Sequence, residues 1–189
     1  MEVEPALTGR LLVATPQLEH EQFRRTVVLL LDHSDDGALG VVVNRPTEID
    51  VDAVLPAWQP FVTVPPRLFQ GGPVALDSAL GLVSVPEHPA GSEPLGVRRL
   101  VGSLGLVDLD TPPEVVAGEV TRLRIFAGYA GWAPGQLEGE IGEGSWYVVD
   151  AEPGDAFTDT PEELWARVLR RQGGDLALVA SFPDDPTMN

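Results

Sequence analysis

The sequence predicts one domain in which antiparallel strands are covered by helices, and three observations lead there. Two β-branched and leucine-rich runs, residues 26–31 (TVVLLL) and 39–44 (LGVVVN), flank the turn-forming segment DHSDDG and read as an antiparallel hairpin with a long loop. Near the end of the chain, Leu164, Trp165, Val168 and Leu169 recur at helical spacing. Between them, residues 122–146 (RLRIFAGYAGWAPGQLEGEIGEGSW) place a strand, a glycine-broken aromatic corner and a helix start side by side. The 189 residues suit a single unit, residues 1–189, and 43% hydrophobic with 22% charged side chains is ordinary globular usage that argues against disorder.

Taken in order, residues 7–14 form the first extended element, and a polar segment ending at Phe23 reads as a short helix or loop. The two hairpin strands are apolar on successive residues, so both faces must be covered. Residues 50–58 resemble a short helix with an aspartate cap that Pro56 disrupts, and the proline-rich stretch to Pro66 is loop. Residues 79–85 and 100–109 are each read as one strand, residues 86–96 as a linker loop and residues 112–118 as a short helix. In residues 120–127, Leu123, Ile125 and Ala127 alternate with Arg122 and Arg124, as on a strand with one apolar face. Thr160, Pro161 and Glu163 form a capping-box start for the last clear helix, which Gly173 and Gly174 close. Residues 175–182 fit either a strand or a second helix, and the acid-rich residues 150–163 read as a solvated loop.

Composition excludes several functions. The net charge is −17, and all 12 basic residues are arginine, so direct nucleic-acid binding, which needs cations on phosphates, is not expected. Without cysteine there is no disulfide framework, thiolate zinc site or cysteine nucleophile. No secretory signal pattern opens the chain and no apolar run approaches a bilayer span, so the expectation is a cytoplasmic protein without membrane contact. His20, His33 and His88 lack metal-ligand spacing, Ser103 lies in VGSLG rather than GxSxG, and phosphate loops and dinucleotide fingerprints are absent. No catalytic residue, metal or cofactor is assigned.

Candidate binding residues remain. Pro46 holds Arg45 extended at the end of a buried strand, where with Asn44 it can grip a carboxylate or phosphate, or pair with one of the protein's own acids. Gly71 and Gly72 either present amides to an anion or make a bend. Arg124, Tyr129, Trp132 and Gln136 either line a pocket with an aromatic wall or lock strand to helix.

These landmarks make the chain resemble the YqgE/AlgH family of bacterial proteins. The resemblance rests on GRLLVATP, FRRTVVLLLDH, GALGVVVNRP, FQGGPV, RIFAGYAGWAPGQLEGEI and LWARVLRRQGG in that order, from Leu7 to the end of the chain. It implies an α+β fold whose split mixed β-sheet is partly closed into a small barrel and surrounded by helices. Some members are described as transcriptional regulators, including of exopolysaccharide synthesis, and no catalytic residues carry over.

The functional expectation is a non-enzymatic regulatory or adaptor protein that binds a protein partner or small anionic ligand near Asn44, Arg45 and Trp132. The alternative is an enzyme for a small anionic substrate, with Arg45 and Arg124 as charge clamps and Tyr129 or Glu138 as an acid–base group.

Overall fold

A computed structural model describes residues 6–86 and 95–183. Most of the linker expected at 86–96, and His88, lie outside them. The strands are β1 (Leu11–Ala14), β2 (Val27–Ser34), β3 (Gly37–Val42), β4 (Pro46–Asp50), β5 (Arg67–Gln70), β6 (Val74–Ser84), β7 (Val97–Val101), β8 (Leu104–Val107), β9 (Arg122–Trp132) and β10 (Trp146–Val149). The α-helices are α1 (Val51–Val54), α2 (Pro113–Val116), α3 (Gln136–Gly142), α4 (Leu164–Gln172) and α5 (Gly174–Val179), with 3-10 turns at Pro56–Phe61, Asp155–Phe157 and Pro161–Glu163.

The order across the sheet is β10-β1-β2-β3-β9-β6-β8-β7, and β5 adds to β9 with β4 outside it. All pairings are antiparallel except β5 with β9. The first half of β9 pairs with β5 and β6, whereas its second half pairs with β3, so this strand divides the sheet into two parts. The whole is a mixed α+β fold in which the split sheet curls into a half-barrel with helices around it.

Three apolar cores follow from this division. The inner core collects alternate residues of both sheet parts, among them Leu11, Leu29, Val41, Phe69, Leu82 and Phe126, beneath α4. Leu164, Trp165, Val168 and Leu169 are all buried there, each worth about 1.5–3 kcal/mol of removed apolar surface. A second core, with Trp58, Val83, Val107 and Ile125, lies on the outer face of one part under α1, α2 and the Pro56–Phe61 turn. The third, with Leu12, Val28, Trp132, Leu137 and Trp146, lies on the outer face of the other part under α3. Both hairpin strands therefore are covered on two sides, as their unbroken apolar runs require.

Several local expectations are corrected. The residue 32–37 loop is a two-residue turn at Asp35 and Asp36, because a bulge between Leu30 and Asp32 lets β2 and β3 stay paired to Ser34 and Gly37. Residues 100–109 are not one strand: Gly102 and Ser103 turn the chain back, making the β7–β8 hairpin. The capping box does not form, since Thr160 makes no side-chain cap and its hydroxyl accepts from Arg167 instead. Of the two readings left open for residues 175–182, the helix forms, as α5. Part of the acid-rich stretch is core: Asp155, Ala156 and Phe157 are buried, with Asp155 in a two-pronged pair with Arg171 at 2.8 and 2.9 Å.

Candidate functional site and relatives

The sequence grouped Arg124, Tyr129, Trp132 and Gln136 around a corner, but β9 runs unbroken from Arg122 to Trp132 and distributes the first three over both sheet faces, while Gln136 opens α3. Gly128 is the reason. It has φ +74° and lies at a register shift where residues 75–78 of β6 bulge out. One irregular residue exchanges the two faces of a strand. Before it, Phe126 points into the inner core; after it, Tyr129 packs on that core while Ala130 and Trp132 point to the outer one.

Arg124 is correspondingly buried rather than on a polar face. Its guanidinium lies 4.2 Å from the Phe69 ring centroid and donates to the carbonyls of Val64 (2.7 Å), Ala156 (3.1 Å) and Thr158 (2.8 Å). Burial pushes its pKa down to about 10, with the Asp159 carboxylate acting in the opposite sense, so it stays cationic at neutral pH. Trp132 is likewise buried, not an exposed corner residue. Its indole and that of Trp146 donate to Glu140 Oε1 at 3.2 and 3.1 Å, while Gln136 donates to Oε2 at 3.0 Å, fastening α3 to β9 and β10.

Gly71 and Gly72 mark a close crossing of backbones. A Cβ on Gly71 would stand 2.4 Å from the Gly128 carbonyl oxygen, and one on Gly72 would stand 2.2 Å from that of Tyr129. The Gly71 amide donates to Ala127 O, and its carbonyl accepts from Val42 N. The FQGGPV and FAGYAGW segments thus meet through backbone, which requires the missing side chains.

Asn44 and Arg45 act together, on another segment. The Asn44 side chain accepts from Val27 N (2.9 Å) and donates to Arg25 O (3.0 Å), carrying strand-like pairing past the end of β3. The Arg45 guanidinium, its pKa lowered by desolvation, donates to the carbonyls of Glu21 and Gln22, both at 2.7 Å, and Arg24 at 3.0 Å. Among the described residues it bonds to these carbonyls and not to one of the chain's own acids. Both side chains pin the residue 21–25 turn.

That turn forms one wall of a groove of about 650 Å³. Thr15, Pro16, Leu18 and Glu19 come from the segment after β1, and Glu21, Arg24 and Arg25 from the pinned turn. Trp165 of α4 and Phe182 complete it. Arg25 has φ +53°, an uncommon backbone state for a side-chain-bearing residue, and its guanidinium lies 4.3 Å above the Trp165 ring. It also donates to Phe182 O at 2.5 Å. No sequence signal marked this groove, because its residues come from distant segments.

His33 and Glu138 form a close titratable pair, with Nε2 to Oε1 at 2.6 Å. The hydrogen bond from His33 is the main reason the Glu138 carboxylate lies below its usual range. His33 Nδ1 accepts from Leu7 N at 3.0 Å, which assigns the Nε2–H tautomer. With both ring nitrogens engaged, the imidazole has no lone pair to offer a substrate. Among the described residues, no cluster of three His, Asp or Glu is placed to hold a metal ion, and no helix is long and apolar enough to cross a membrane.

Known proteins are similar to this one over nearly the whole chain. A family model described as AlgH-like matches residues 11–177. A UPF0301 protein of Streptomyces coelicolor is 60% identical over 185 residues, covering 97% of this chain and 96% of its own length. The crystal structure of protein DIP2367 from Corynebacterium diphtheriae is similar with TM-score 0.86 and 38% identity, over 96% of this chain and 95% of that one. The solution structure of AlgH from Pseudomonas aeruginosa gives TM-score 0.70 and 28% identity over 98% of both chains. The chain therefore belongs to the AlgH-like family.

Proposed function

We propose that this is a non-enzymatic regulatory or adaptor protein of the cytoplasm whose working surface is the groove beside Trp165, and that a protein partner docks there. The carrying observation is that Asn44 and Arg45 hold in place the strained turn that walls an open groove of about 650 Å³. Backbone strain persists where the surroundings over-determine it, and such sites concentrate at functional positions. The groove sets the exposed Phe182 ring beside a charged rim, the mixture that recognition sites use. Gly71, Gly72, Arg124, Tyr129, Trp132 and Gln136 then support the scaffold. Any influence on transcription runs through the partner, because a chain of net −17 opposes direct contact with phosphates.

The test is a photocrosslinking residue in place of Leu18 in the groove, compared with one in place of exposed Val115 on α2, which packs on the outer core. A discrete protein adduct from position 18, absent from position 115 and lost with Arg45→Ala, is the expected result. Equal labelling from both positions, or none from position 18, overturns the reading. Protection of position 18 by a small anion instead identifies the groove as a metabolite site.

A further inference from the structure

Resting on the groove reading, we infer that the occupant is a basic segment of the partner carrying an apolar or aromatic anchor. Pro16, Leu18 and Phe182 supply the apolar part of the floor, Phe182 being 49% exposed, while Trp165 lies buried beneath the Arg25 guanidinium. A side chain placed there removes apolar surface of both molecules from water. The rim then decides the charge of what flanks that anchor. Arg25 is committed within the chain, stacked over Trp165 and bonded to the Phe182 carbonyl, so it serves as part of the floor. Arg24 is also engaged within the chain.

Glu19 and Glu21 differ from both arginines. They are exposed at the rim, and among the described residues neither carboxylate has a hydrogen-bond or ion-pair partner. Two unneutralised carboxylates beside an apolar floor select a cation next to a hydrophobe. The net charge of −17 works in the same direction at longer range, raising the encounter rate of basic partners and suppressing that of acidic ones. An acidic segment would face the free carboxylates and the long-range field together, and would find Arg24 and Arg25 already engaged within the chain.

Two short synthetic peptides with the same central phenylalanine test this, one flanked by lysines and one by glutamates. Each is titrated into the isotope-labelled chain, with amide resonances read by NMR at low and physiological ionic strength. The lysine-flanked peptide should shift residues 15–25 and 182, bind more weakly as salt rises, and lose about 3- to 10-fold in affinity with Glu19→Gln and Glu21→Gln combined. These replacements are exposed and isosteric, so the fold provides its own control through unchanged resonances elsewhere. Tighter binding of the glutamate-flanked peptide, indifference to the double substitution, or silence of the lysine-flanked peptide overturns the inference. If any of these occurs while the position-18 crosslink stands, the charge assignment has failed and the groove reading survives. Loss of that crosslink overturns the reading itself.

Discussion

Arg124 and Arg45 do the same chemistry at two depths. Each guanidinium donates to three backbone carbonyls instead of forming a contact pair with a carboxylate. Arg124, only 1% exposed and stacked on Phe69, ties β9 to the Val64 segment and the residue 156–158 segment through the inner core. Arg45 is half-buried and ties one surface turn to the end of β3. The difference teaches that an arginine's number of hydrogen bonds does not set its importance. What counts is whether water can replace those bonds when the side chain is removed.

That contrast is best broken at the deep end. Arg124→Ala leaves three carbonyls without their donor and opens space beside Phe69, and should cost about 4 kcal/mol in denaturant or thermal unfolding. Lysine should not rescue it, because a point charge cannot reproduce the planar fork or the stack. A loss no greater than that of Arg45→Ala would break the comparison. Gly72→Ala comes next, at about 3 kcal/mol, because its Cβ must displace the Tyr129 backbone where β5 and β9 seat Phe69 and Arg124. Asp155→Asn should cost about 2 kcal/mol. It weakens the charge-assisted pair with Arg171 that holds the segment offering Ala156 O and Thr158 O to Arg124.

At the shallow end, Arg45→Ala should cost about 1 kcal/mol, since water can reach the freed carbonyls. Amide exchange should nonetheless rise locally in residues 21–25, with the core unchanged. Uniform loss of protection would assign Arg45 to global stability and remove its groove-positioning role. The smallest effect is a pH dependence. Glu138 is depressed in the folded state, so its contribution is complete above the unfolded glutamate range and fades as pH falls through the lower folded value. In His33→Phe that acid limb of the stability profile should flatten, which a melting series across the carboxylate range would read.

How much could be read beforehand varies with the reach of the interaction involved. Strands β2 and β3, the apolar stripe of α4 and the mixed α and β character were legible because periodicity and β-branching act within a few residues. The β7–β8 hairpin was missed because Gly102 and Ser103 lie inside an otherwise continuous apolar run. The corner at GYAGW was misread for the opposite reason: glycines that resemble a turn instead let β9 run on past the bulge of β6 and cross another backbone. Of the candidate binding residues, all eight belong to structurally specific positions, but the sequence could not show that Arg124 and Trp132 face opposite sides of one strand.

By itself the sequence determined the hairpin strands β2 and β3, the stripe of α4, the strongly acidic charge and the family, since these depend on composition, local pattern and ordered motifs. Tertiary structure alone decided that Gly128 exchanges the faces of β9, that two arginines bind carbonyls at different depths, and that residues from positions 15–25, 165 and 182 share a groove. Those outcomes depend on which distant backbones and side chains compete for the same space and the same hydrogen bonds, and that competition has no signature until the chain is folded.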